Sequence, residues 1–365
     1  MFKLAFVYVV LLCFRSAQAE VLETSQGRLE LTRMVDGFDV PWAIAFLPNH
    51  GFLVTDLNGS LYHVKGSQRQ IIRGTPRSFH QGQGGLLDVM VPNDFSNSRE
   101  IFLTYSIRQN RGSGTALAVG TLSSDFRRLK NVRVIFETSS SSNTSRHYGS
   151  RVVEARDGTL FMTLGERGEH ESAQDLSLHQ GSIIHLNRDG TVPGNNPFIN
   201  IPESQNLIWS YGHRNPQGLA LDNKGGIWSV EHGAQGGDEI NRIQKGGNYG
   251  WPVISYGRHY SGAKIGEGTA RPGMQQPAWY WDPSIAPSGM MIYSGKLWPN
   301  WRGHFFVGSL KFDYISRLSG RVLKEREQLK SPFTGRVRDV VEAPDGSIWF
   351  ASETDGAIYR LAPSR

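Results

Sequence analysis

Short apolar stretches alternate with turn residues along the chain, and the alternation repeats. An apolar strand, a turn and a second strand rich in aromatic and β-branched residues recur as a unit. The pairs are 41–47 with 52–55, 85–91 with 101–105, 149–154 with 160–164, 217–222 with 227–230, 288–293 with 304–308, and 337–342 with 348–351. Asp157-Gly158, Gly225-Gly226 and Asp345-Gly346 sit between such strands and favour tight hairpins. A third strand often closes the unit, at 60–64, 182–186, 314–318 and 357–361. The units are spaced at roughly 45 to 70 residues, the range of propeller blades and solenoid repeats. The pattern predicts an all-β fold, a six-bladed β-propeller of four-stranded antiparallel sheets, which limits exposed edges by radial repetition. A β-sandwich pair or a two-domain β protein is the competing architecture. Residues 21–35 are strand-like and are placed to pair with the last unit and close the ring. Residues 193–205 and 256–276 read as long inserted loops, the kind that carries function in a compact domain.

The first 19 residues do not fit the repeat. Lys3 precedes an apolar run from Leu4 to Phe14, and Ala17-Gln18-Ala19 has the small-x-small form of a cleavage site. This predicts a secretory signal over 1–19, a single propeller domain over 20–365, and a periplasmic location. The run is too short to count as a membrane span, so the mature chain is expected to carry no transmembrane segment. Cys13, the only cysteine, lies inside the signal. The mature chain would then hold no disulfide, thiol nucleophile or cysteine-ligated metal.

Composition adds less. Forty-two glycines and 17 prolines suit many short strands and tight turns. The net charge of +6 falls to +4 without Lys3 and Arg15. The basic residues are scattered, which argues against nucleic acid as a partner and leaves a mild preference for anionic ligands.

Candidate chemistry lies beside the predicted inner strands. His147 precedes one and can serve as a general base near neutral pH, with Glu166 as the carboxylate that orients it. Arg214 and Asn215 precede Pro216, which holds the backbone extended. An arginine there suits a carboxylate or a developing oxyanion. Gln83 sits in a glycine-rich stretch with no Lys-Ser/Thr after it, so a phosphate loop is excluded. Lys311, Arg336 and Arg338 fall at corresponding places in the last two units and together offer a cationic wall. Glu231, Asp238 and Glu239 flank a glycine-rich loop whose oxygens suit a hard cation, although the spacing is not that of an EF-hand. Taken singly, each of these residues is equally at home as ordinary surface polarity or as a turn. No dinucleotide fingerprint or nucleophile elbow is present.

Six motifs change the picture jointly. They are Gly82-Gln-Gly-Gly-Leu-Leu-Asp-Val89, His147-Tyr-Gly-Ser-Arg-Val152, Tyr211-Gly-His-Arg-Asn-Pro-Gln-Gly218, Glu231-His-Gly-Ala-Gln-Gly-Gly-Asp-Glu-Ile-Asn241, Asn248-Tyr-Gly-Trp-Pro252 and Arg336-Val-Arg-Asp339. In this order they resemble the soluble quinoprotein glucose dehydrogenases, and more closely their aldose sugar dehydrogenase branch.

The resemblance implies a six-bladed propeller that holds pyrroloquinoline quinone (PQQ) and Ca²⁺ and oxidises aldose sugars at C1 to lactones. It implies that His147 removes the C1 hydroxyl proton while hydride passes to the quinone, that Glu166 partners His147, and that Arg214 polarises the quinone oxygen. Gln83, Asn215, Lys311, Arg336 and Arg338 would bind PQQ. The Gly233 and Ala234 carbonyls would bind one Ca²⁺, and Glu239 with the Tyr249 carbonyl a second. Electrons would pass to an external acceptor. Ala234 departs from the proline usual in the family, and Tyr280-Trp281 matches its substrate region only loosely. A propeller Ca²⁺ lactonase or hydrolase, a non-catalytic binding propeller and an oxidase of non-sugar alcohols are the alternatives.

Overall fold

The computed structural model describes residues 19–364. The predicted signal therefore lies, apart from Ala19, outside the described residues. Six antiparallel sheets are arranged in chain order. Their first strands, Pro41–Phe46, Leu86–Met90, Val152–Glu154, Pro216–Leu221, Pro287–Ile292 and Val337–Glu342, contact one another in a closed circle. This is the six-bladed propeller the repeat predicts.

Blade position sets the side-chain chemistry of each strand. Second strands are covered on both faces by neighbouring blades, so Phe52–Asp56 and Ile348–Ser352 are buried throughout. Fourth strands face water on one side and alternate, as in Lys324–Leu329. The core consists of layers between blades. Trp42, Leu53 and Leu61 of the first blade meet Leu86, Ile101 and Tyr105 of the second. Burial of each such Leu contributes about 1.5–3 kcal/mol.

The ring is closed by its two ends. Gly27–Asp36 pairs with Ala357–Pro363, with Leu31 opposite Leu361. Ala19–Thr24 adds a fifth strand outside it. The predicted closing strand is thus two strands turning at Ser25-Gln26.

Five of the six inner strands are tied by one guanidinium. Arg151 Nη1 lies 3.0 Å from Asp88 Oδ1 and 3.1 Å from Asp339 Oδ1. Its Nε donates to the Gln217 carbonyl at 3.1 Å, and its Cζ lies 4.3 Å from the Trp42 ring centroid. The two carboxylates also accept backbone N–H groups, Asp88 from Val152 at 2.8 Å and Asp339 from Ile44 at 2.9 Å. All three charges are buried. Burial, reinforced by Asp339, pushes Asp88 up to about 6 despite the arginine.

Candidate functional site

Each inner strand starts, and each second strand ends, at the same end of the axis. The candidate residues converge there because they occupy these two positions in the repeat. Residues 144–151 lead into the third blade without regular secondary structure, and His147 holds a left-handed backbone at φ 57°. That conformation is uncommon outside glycine and is found where surroundings over-determine it. Two contacts fix it. The His147 N–H donates to Gln83 Oε1 at 2.7 Å, and Gly165 lies so close that a Cβ on it would sit 2.1 Å from the His147 carbonyl oxygen.

The His147 side chain is 8% exposed and its Nδ1 lies 2.9 Å from Glu166 Oε1. Glu166 is fully buried, and its other oxygen accepts the Gly168 N–H. The carboxylate favours a proton on Nδ1 and a lone pair on Nε2. Among the described residues, Nε2 makes no protein hydrogen bond. Burial is the largest influence on the His147 pKa and lowers it, with Arg214 and Arg146 acting the same way against Glu166. The pair to His147 and the Gly168 N–H outweigh burial at Glu166, whose pKa is lowered. At neutral pH this is a neutral imidazole beside a carboxylate, the arrangement of a general base.

Arg214 is held from behind. Its N–H donates to Glu231 Oε2 at 2.8 Å, its Nη1 to the Gly233 carbonyl, and its Cζ lies 5.1 Å from the Trp251 ring. Its Nε is buried without a partner, which leaves a donor for a ligand oxygen. Asn215 is buried and its Oδ1 accepts from the Gly149 N–H at 3.2 Å and from Gln217 Nε2 at 3.1 Å.

A cavity of about 390 Å³ opens on the axis. Gln83, Asn215, Arg336 and Arg338 line it, together with Trp42 and His232. Arg336 and Arg338 share one acid, Glu353, through contacts of 2.8 and 2.5 Å. Arg338 also donates to Gln217 Oε1 at 3.2 Å. Two cations against a single carboxylate leave a positive wall. Lys311 is exposed beside Phe312, with its ammonium 5.1 Å from that ring and no acidic partner among the described residues. It stands outside the residues that line the cavity.

The predicted metal loop is largely buried, with Gln235 exposed. The Gly233 N–H donates to Asp238 Oδ1 at 2.8 Å, and Ala234 is 6% exposed. A Cβ on Gly233 would sit 2.2 Å from the Gly236 carbonyl oxygen, so only glycine permits this fold of the loop. Glu239 stands opposite Glu231 in the fourth blade. Burial first, then the Glu231 charge, raises the Glu239 pKa. Asn241 Nδ2 bridges the two carboxylates at 3.0 Å each. A buried acid and a half-buried one without a cationic side chain between them fit a hard divalent ion. The Tyr249 ring stacks on His213 at 4.5 Å and its hydroxyl donates to the Arg242 carbonyl, so the residue is fixed in place. Among the described residues, no three His, Cys, Asp or Glu side chains converge as a metal cluster. A metalloenzyme built on side-chain ligands alone, as the lactonase alternative requires, does not match this loop.

Sequence reading missed Glu353, His232, Gln217 and Trp42. A signal for Glu353 exists in the repeat. Asp56, Glu231 and Glu353 end or directly follow the second strand of their blades, and Glu166 lies three residues past its own.

A propeller with a buried histidine–carboxylate pair, an adjacent arginine and a cationic wall at one end of its axis is an enzyme of the propeller class. The chain belongs to the Glucose / Sorbosone dehydrogenase family, whose model matches residues 38–360, and it is an oxidoreductase. It is 38% identical over 380 residues, the whole of both chains, to the aldose sugar dehydrogenase YliI of Escherichia coli (strain K12). The crystal structure of the soluble aldose sugar dehydrogenase from Escherichia coli in the apo-form superposes with a TM-score of 0.89 at 38% identity, covering 92% of this chain and 100% of that one. Quinoprotein glucose dehydrogenase B of Acinetobacter calcoaceticus is 25% identical over 363 residues, covering 76% of this chain and 75% of its own. Among the described residues, no helix is long and apolar enough to cross a membrane.

Proposed function

We propose that this protein oxidises aldose sugars at C1 to lactones with bound PQQ and Ca²⁺, and passes the electrons to an external acceptor. The observation that carries the reading is the 2.9 Å contact between His147 and Glu166, next to the unpartnered Nε of Arg214. PQQ supplies the two-electron hydride acceptor when bound. Arg336, Arg338 and Lys311 would neutralise its carboxylates, and Gln83 and Asn215 would hold its polar edge. Arg214 would stabilise charge that develops on the cofactor oxygen, in a site from which water is largely excluded. His147 Nε2 would take the C1 hydroxyl proton, and Glu166 would hold the imidazole in the tautomer that can accept it. The Gly233 and Ala234 carbonyls would bind one Ca²⁺, and Glu239 with the Tyr249 carbonyl a second. The placement of Glu239 opposite Glu231, with no cationic side chain between them, supports a cation there.

We further propose that residues 1–19 are an export signal, that 20–365 form a single catalytic domain, and that the protein works in the periplasm. Apoprotein mixed with PQQ and Ca²⁺ should reduce a dye on addition of aldoses. Inactivity toward every aldose and alcohol in a broad panel would overturn the reading.

A further inference from the structure

The long loop at 256–276 carries an ordered hairpin. Its base is pinned to the predicted metal loop, where Arg258 and Gln235 exchange backbone hydrogen bonds of 3.0 and 2.9 Å. Beyond that pair the His259 N–H donates to the Ala263 carbonyl at 2.9 Å, and the Gly262 N–H to the His259 carbonyl at 2.8 Å. The local sequence suits this turn. Tyr260-Ser261-Gly262 is a three-residue hairpin loop with glycine at the left-handed position, φ 85°. Tyr260 therefore stands at the tip. It is 78% exposed, more than any other large apolar or aromatic residue among those described.

The hairpin leans on the candidate site through a chain of rings. His259 stacks with His170 at 6.2 Å, and His170 packs edge-on to Trp251 at 5.1 Å. The Arg214 Cζ lies 5.1 Å from the Trp251 ring. Tyr260 itself is near enough to Arg214 to act electrostatically on the guanidinium. The tip thus reaches the mouth that holds Arg214 and His147, yet neither the proton transfer nor the cofactor contacts proposed above use it. A ring left this open to water adds little to the fold by burial.

An aldopyranose has the surface such a tip can bind. Its ring carbons present C–H bonds on one face, and its hydroxyls project from the edge. An aromatic ring covers the first, and polar groups deeper in the site take the second. We propose that Tyr260 is a sugar-binding platform, its ring packed on one face of the pyranose while the C1 hydroxyl lies at His147. The inference rests on the sugar-oxidation reading above. It divides the mouth into a cationic wall on the last blade for the cofactor and an aromatic rim on the fourth for the substrate. Because the base of the hairpin is tied down, the ring is held ready and binding has little else to order.

The test uses protein loaded with PQQ and Ca²⁺. Tyr260→Ala should raise KM for aldopyranoses by roughly 3- to 10-fold, the size of one aromatic contact, with little change in kcat. Tyr260→Phe keeps the ring and should recover most of that loss. Equilibrium binding gives a second readout. A pyranose without the C1 hydroxyl is not oxidised, and calorimetry should show its Kd raised by a similar factor in Tyr260→Ala. An active Tyr260→Ala protein with unaltered KM and Kd would overturn the proposal. A Tyr260→Phe protein as impaired as Tyr260→Ala would also overturn it, since the ring would then not be the contact. Inactivity of the unaltered protein toward every aldose would instead count against the functional reading on which the proposal stands.

Discussion

The propeller axis carries two charged regions, and they are neutralised differently. In the middle of the ring Arg151 faces Asp88 and Asp339, both within 3.1 Å, and the remaining oxygens accept backbone N–H groups. At the mouth Arg336 and Arg338 share Glu353 alone, and Arg214 keeps an unpartnered Nε. The middle is internally complete, so it can only hold blades together. The mouth is short of negative charge and is open on a cavity, so it can attract an anion. Similar residues thus do opposite work according to whether their partners are already inside the protein.

The largest effect should come at the mouth. His147→Ala should lower kcat by roughly 10²–10⁴-fold, the range of a lost general base, with an unaltered melting temperature. Steady-state kinetics and calorimetry would separate the two, and a lowered melting temperature would show His147 to be part of the scaffold. The mirror experiment is Arg151→Met. Removing one partner of a buried ion group costs about 3–5 kcal/mol, so unfolding should occur at clearly lower denaturant. Unchanged stability would mean that the middle is as dispensable as a surface pair. Next in size is Arg338→Gln, expected to weaken PQQ binding about 10- to 100-fold, as for loss of charge-assisted hydrogen bonds, while the denaturation midpoint moves little. An unaltered PQQ titration would remove Arg338 from the wall. The smallest effect concerns pH. His147 must be neutral to act, and its pKa lies below the ordinary 6.5. The acid limb of kcat/KM should therefore fall below pH 6.5, and Glu166→Gln should move it lower still, because the carboxylate is what raises the imidazole pKa. A limb above 6.5 would contradict the burial of the pair.

The same contrast explains what was readable in the chain. First and second strands are covered on both faces, so they appear as short apolar runs, as from Ile348 to Ala351. Outer strands such as Gln68–Ile72 and Leu129–Glu137 are mostly exposed and mix polar with apolar residues without a clean alternation, so their pattern merges with that of loops. Trp279–Trp281 is too short for any periodicity to show. The six motifs marked both charged regions without telling them apart. Asp88, Arg151 and Asp339 lie in the same motifs as Gln83, His147 and Arg338, and only the three-dimensional pairing assigns the first three to structure. Glu353 lies outside all six, which is why partners chosen by motif left Arg338 without its carboxylate.

Closure of the last blade by both chain ends has a practical corollary. The Ser364 N–H donates to the Arg28 carbonyl at 3.0 Å, and Ala19 lies one edge strand away, opposite Thr32. In a chain made to begin at Ala19, a linker of roughly 20 Å, the length of that six-residue strand, would join Ala19 to Ser364 in a continuous circle. New ends could then be opened at an exposed hairpin such as Asp157-Gly158. Such a permuted enzyme would keep every axial contact while exchanging which blade is stitched last.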